Sequence, residues 1–256
     1  MKFKYKISIY FLFVIVFSNS YASIHDCMNS MKSKDWDNII KYCPEYSSNN
    51  GDITKVLSGA YAYKYNGLEA QKYLQIYIDK FANNDKDTES VALAFMSLGN
   101  YYYFGEDGAK KDIKKGLKYI TKGAGLGNDT AQEQLATAYF NGDNLPVNYP
   151  LAYMWYTISA SNGNQKAIDN YFAQHMTSYT QQAPYCVALG DHLVAKAYLD
   201  GEAGLPVSDN QAKKYLIQAI ELYKEAKKPS EDELKYCPPQ KDLDLASAEK
   251  LLASLK

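Results

Sequence analysis

The sequence predicts an all-α fold: a solenoid, wound as a right-handed superhelix, of helix hairpins with disulfide-stapled ends. Three observations carry this. One helical pattern is written twice between residues 91 and 164, first as AFMSLGNYYYFGEDGAKKDIKKGLKYITKGAGLGN ending at Asn128, then as TAQEQLATAYFNGDNLPVNYPLAYMWYTISASNGN ending at Asn164. Gly127 pairs with Gly163, Gly116 with Ala152 and Tyr119 with Trp155, each 36 positions apart, a period that marks helix pairs stacking to bury a stripe neither could bury alone. Elsewhere apolar residues recur at helical spacing, and no alternating strand pattern persists. Four cysteines are available to tie down the terminal parts of such a stack.

The chain opens MKFKYKISIYFLFVIVFSNSYAS. Lys2, Lys4 and Lys6 precede an apolar run of 11 residues from Ile7 to Phe17, short of the roughly 20 needed to span a bilayer. Small residues at Ser20 and Ala22 suit a cleavage site. Residues 1–22 therefore read as a secretory signal peptide cut after Ala22, leaving a periplasmic or secreted protein without a transmembrane segment.

Residues 23–87 read as an N-terminal cap and a degenerate repeat. Ile24–Met31 and Asp35–Tyr42 are brief helices, with Trp36 in the core of the cap, and residues 47–52 are a loop. A helix then runs to Tyr65, Asn66 and Gly67 turn, and Leu68–Phe81 returns. Asn-Gly between apolar runs suits a β-hairpin, but Leu74, Ile78 and Phe81 keep helical spacing. Residues 88–164 hold the two clear repeats, with Thr88 and Glu89 opening the first helix.

Residues 165–182 break the period. Lys166–His175 is helical in pattern and Thr177–Gln182 is polar, as for an inserted helix. Residues 183–228 form a third repeat, with Pro184 at the favoured first helical position and Asp209-Asn210 capping a helix that runs to about Lys227. Residues 229–256 are capping helices. The last, Leu243–Leu255, carries Leu245, Ala248, Leu252 and Leu255 on one face and covers the open end of the stack.

The repeated stretch resembles tandem Sel-one-like repeats, short relatives of the tetratricopeptide repeat. Tyr103-Phe104-Gly105 and Tyr139-Phe140-Asn141-Gly142 match the aromatic-then-Gly end of the first helix. Leu145-Pro146-Val147 matches the loop, and Ala152, Trp155-Tyr156, Ala160 and Gly163 match the second helix. A third copy reads Tyr198-Leu199-Asp200-Gly201, Leu205-Pro206-Val207, Ala212 and Ala219. The first copy departs from the pattern, with no Pro in its loop. The resemblance implies a solenoid that binds a protein or peptide on its concave face.

Removing the leader leaves 25 lysines against 29 acids, a net charge of −4 with no basic patch, so nucleic acid is not an expected partner. Arginine is absent, which removes bidentate clamps on phosphate or carboxylate. The even cysteine count in an oxidising compartment predicts two disulfides. Three pairings are possible. The matching tripeptides Tyr42-Cys43-Pro44 and Tyr236-Cys237-Pro238 favour Cys27–Cys43 and Cys186–Cys237. No metal site is expected: there is no C-x-x-C, and His25, His175 and His192 are scattered.

No catalytic residue or cofactor is assigned. Ser247–Lys250 fits S-x-x-K and Ser208-Asp209-Asn210 fits S-D-N, but the order is reversed from the penicillin-recognising enzymes and no K-T-G exists. A terminal helix and a helix cap explain both. Gly123–Gly127 is glycine-rich but ends a helix instead of following a strand.

What remains is surface, and the chain holds 25 tyrosines. Tyrosine offers a large rigid area with a hydrogen-bonding tip. Three consecutive tyrosines, Tyr101 to Tyr103, cannot all face one core. Tyr61, Tyr65, Tyr102, Tyr103 and Tyr139 are the expected partner contacts. The expected function is a non-enzymatic scaffold or adaptor for a protein or peptide. A periplasmic inhibitor or immunity protein blocking a toxin or wall hydrolase is the alternative.

Overall fold

The computed structural model describes residues 23–164, 183–226 and 228–255. Among these, every regular element is helical. The predicted leader at 1–22 and insertion at 165–182 lie outside the described residues.

Helix α1 (Ile24–Ser33) starts in a capping box made by Ser23 and Asp26, and α2 (Trp36–Tyr42) is capped by Asp35. The Cys27–Cys43 disulfide ties them together, with both cysteines buried beside Ile39, Ile53 and Leu57. A short 3-10 turn over Pro44–Asn49 occupies part of the expected loop, and α3 (Gly51–Tyr63) follows, capped by Asn50. Asn66 turns out to be the cap of α4 (Gly67–Lys80), with Gly67 its first helical residue. The left-handed position falls on Tyr65, at φ +55°.

The two clear repeats are α5 (Thr88–Phe104) with α6 (Ile113–Gly125), and α7 (Asp129–Asn141) with α8 (Tyr149–Ser161). Small residues let α5 and α6 cross closely. A Cβ on Gly99 would fall 2.7 Å from the Ile120 side chain, and one on Gly116 the same distance from the Tyr103 nitrogen. Within these two repeats successive helices alternate in direction, and the first is stitched at one end to the hairpin before it. There the Gln71 side chain of α4 receives the Lys110 N–H and donates to the Lys110 carbonyl, both at 2.9 Å.

The third repeat is α9 (Pro184–Asp200) with α10 (Asp209–Glu225). Internally it copies the second. Gly142 and Gly201 end their first helices at φ +79° and +64°. The Asn148 and Ser208 N–H groups return to the Tyr139 and Tyr198 carbonyls at 3.0 Å each. Its orientation differs from expectation. Tyr153 donates to Asp191 at 2.8 Å, and Tyr198 donates to Ser161 at 3.3 Å. These pairs advance together along α8 and α9, so the two helices run parallel where a regular stack makes them antiparallel. The chain leaves α8 at one end of the stack and begins α9 at the other; residues 165–182 lie between.

The reversal carries the Gly201–Ser208 loop to the wrong end for a regular repeat, against the turn between the first two. Buried Gln132 of α7 reads it there, donating to the Ala203 carbonyl at 2.8 Å and the Ala124 carbonyl at 2.9 Å. Asn162 donates to both the Gln132 Oε1 and the Ala203 carbonyl.

The cap of α10 is Ser208, one residue before the expected Asp209-Asn210. The short α11 (Glu231–Tyr236) leads to Cys237, bonded to Cys186 at the start of α9. The final helix, α12 (Leu245–Ser254), starts two residues later than predicted because Asp244 and Ser247 form its capping box. Ala248 is fully buried against the core of the third repeat, with Leu245 and Leu252 packed around it.

Candidate functional site

In α3, α5 and α7, the first helices of their hairpins, the core sides pack on α4, α6 and α8 and the other sides form a common face. Two hollows open on it, one each side of α5. The first, about 400 Å³, lies between α3 and α5, walled by Val56, Gly59 and Ala62 on one side and Leu93, Ser97 and Tyr101 on the other, with Leu74 behind. Leu93 is 51% exposed. Lys55 sits at its edge, bonded to Asp85 at 3.1 Å. The Asp85 carboxyl is held down to about 2 by the Tyr77 hydroxyl first, then by the Asp87 N–H and Lys55.

The second hollow, about 210 Å³, lies between α5 and α7 above α6. Phe104, Leu117, Ile120 and Ala138 make it apolar, and Glu133 and Asp143 stand at its edge. Phe104 is 49% exposed.

The predicted contact tyrosines divide. Tyr103 lines the second hollow, and its hydroxyl accepts from Asn144 at 2.9 Å. Tyr139 is half-buried, packed with Ile120 and Leu135. Tyr61 is half-buried and stacks on Tyr73 with ring centroids 5.5 Å apart. Tyr65 is 81% exposed on the turn after α3.

Tyr102 is not a surface residue. It is 8% exposed, donates to Gln75 at 3.2 Å, and carries the Lys115 ammonium over its ring at 4.0 Å. The reason is helical phase: successive residues turn by about 100°, so Val91, Phe95, Leu98 and Tyr102 share the core stripe, leaving Tyr101 and Tyr103 to flank it. The same count identifies Leu93 and Phe104, which were not selected; both are large apolar residues off the core stripe.

Ser208 and Ser247 are spent as helix caps. His25 is exposed beside Asn29. His192 is buried, and burial followed by the nearby Lys196 charge depresses its pKa to about 4. His175 lies outside the described residues. Among those residues, no group of three or more His, Cys, Asp or Glu could hold a metal, and no helix is long and apolar enough to cross a membrane.

The Sel1 repeat family model matches residues 90–128, 130–164 and 185–223. Among solved structures, a Sel1 repeat protein from Oxalobacter formigenes aligns over 91% of this chain and 100% of its own, at 19% identity and TM-score 0.48. The protective antigen c5321 of uropathogenic Escherichia coli, which displays an SLR fold, aligns over 78% of this chain and 48% of its own, at 17% identity and TM-score 0.33. No curated protein matches this sequence. Proteins built of such repeats are generally protein-interaction scaffolds, and this chain, with three of them, belongs to the Sel1-like repeat family.

Proposed function

We propose that the protein is an exported scaffold that grips a protein or peptide along the α3–α5–α7 face. The observation that carries this is Leu93, an exposed leucine on the wall of an apolar hollow deep enough for a side chain. Burying it against a partner recovers about 25 cal/mol per Å² of apolar surface.

Export is supported by the two disulfides, which persist in oxidising compartments. It is also supported by the helix cap at Ser23. Cleavage after Ala22 would place the new α-ammonium on the nitrogen that already meets Asp26 at 3.1 Å. Amino-terminal sequencing of the exported protein should therefore begin at Ser23.

The test of the binding face is a photo-crosslinking amino acid at position 93, with exposed Lys118 of α6 as the control site. The face is supported if one discrete adduct forms from 93 and not from 118, and is lost in a Phe104→Asp variant of unchanged melting temperature. Adducts from 118 alone would reject it. A captured partner that proves to be a toxin or wall hydrolase, silenced on binding, would make the protein an inhibitor or immunity protein.

A further inference from the structure

The second hollow has an unbalanced chemistry. Its floor is apolar, through Leu117, Ile120 and Ala138, while the charged side chains that line it, Glu133 and Asp143, are both carboxylates. Glu133 receives a hydrogen bond from Thr137, and Asp143 one from Asn141. Neither takes part in an ion pair among the described residues, and no lysine lines the space. Gln134 also lines it, and its buried Oε1 has no donor. The Gln134 side chain ends in an amide, whose last torsion is broad, so it can turn to meet a donor brought into the hollow.

We infer that this hollow receives a lysine or arginine side chain of the bound partner. The fit follows from the shape of those side chains, which bury an aliphatic stem and keep a charged head at the polar edge. The stem lies on Phe104, Leu117 and Ile120, and the head meets Glu133 and Asp143. An acidic side chain in the same place would face two carboxylates, and a purely apolar one would leave both edge charges unpaired. A partner segment crossing α5 would thus present an apolar residue to the Leu93 hollow and a basic one to this hollow.

This inference rests on the scaffold reading, but its test is independent of any captured partner. The probes are N-acetyl-lysine methylamide, its arginine counterpart and its norleucine counterpart, titrated into the intact protein from Ser23 onward and followed by amide and methyl NMR. The expected result is saturable shifts at Ile120 and Ala138, with lysine and arginine binding about three- to tenfold more tightly than norleucine, as two partly exposed ion pairs allow. The preference should collapse to near one in the Glu133→Gln, Asp143→Asn double variant, with an unchanged melting curve, and shrink in high salt. Equal binding of norleucine, a preference that survives the double variant, or no shifts with any probe would overturn the inference. Those outcomes leave crosslinking at position 93 untouched, so the two readings can fail separately.

Discussion

Gly127 and Gly204 press backbone against backbone across the seam between the first and third repeats. A Cβ built on Gly204 would lie 2.7 Å from the Gly127 Cα, and one built on Gly127 would lie 2.9 Å from the Gly204 Cα. Both residues have positive φ, +98° and +80°. Any side chain here collides with main chain and strains its own backbone, and the reversed third repeat depends on that contact.

Gly204→Ala and Gly127→Ala should each therefore destabilise the protein by about 2–4 kcal/mol, combining left-handed strain with a displaced backbone. Gly163 is the internal control: it shares the φ of +98°, but a Cβ there meets nothing within 4 Å. Gly163→Ala should cost only the strain, about 1–2 kcal/mol. Urea melts of the three variants will show the gap; equal losses would mean the seam contributes nothing.

Asp191 makes stability depend on pH. It is 2% exposed, and burial pushes its carboxyl up to about 7 against the opposing effects of the Tyr153 hydrogen bond and Lys214. A raised pKa means the contribution is full below the unfolded value near 4 and is lost as pH rises through 7. At about 1.4 kcal/mol per unit the wild type forfeits up to about 4 kcal/mol over that window. Asp191→Asn keeps an acceptor for Tyr153 and removes the ionisation. The variant should gain on the wild type between pH 5 and pH 8, by chemical denaturation at each. His192 runs the opposite way, since its depressed pKa of about 4 lowers stability as pH falls below its ordinary value of 6.5. The difference between wild type and variant cancels it.

Tyr102→Ala should lower stability by about 3–5 kcal/mol, as truncating a large core aromatic does, and Tyr102→Phe by about 1 kcal/mol for its lost hydrogen bonds. Thermal melts with partner crosslinking from position 93 separate the effects. Tyr102→Phe should leave the crosslink intact.

The disulfides should differ in weight. Cys186–Cys237 closes 51 residues and Cys27–Cys43 closes 16, so the chain-entropy account assigns them about 4 and about 3 kcal/mol. Paired Cys→Ser variants, melted under non-reducing conditions, should follow that order.

The repeat period and the cysteine partners could be read from the chain, because each depends on local spacing or on a short matching motif, and the starts of α10 and α12 were legible to within one or two residues. Leu93 was legible too, had the phase of α5 been counted through. The same phase places Tyr102 on the stripe of Val91, Phe95 and Leu98 with Tyr101 and Tyr103 to either side, which the run of three tyrosines taken alone does not show. The hollow at Glu133 draws residues from α5, α6, α7 and the following loop, and no linear motif joins them.

The sequence by itself determined that this chain is a run of helix hairpins, three of them Sel1 repeats, since small and aromatic residues at helical spacing recur with a 36-residue period and bury their stripe only when the hairpins stack. The direction in which the third hairpin lies was decided only in three dimensions. Its sequence is the same whichever end its loop occupies. What selects the orientation is the fit of Gly204 against Gly127, the reach of Gln132 to Ala203, and the pairing of Tyr153 with Asp191. These contacts join residues far apart in the chain, and their energies exist only once the surfaces have met.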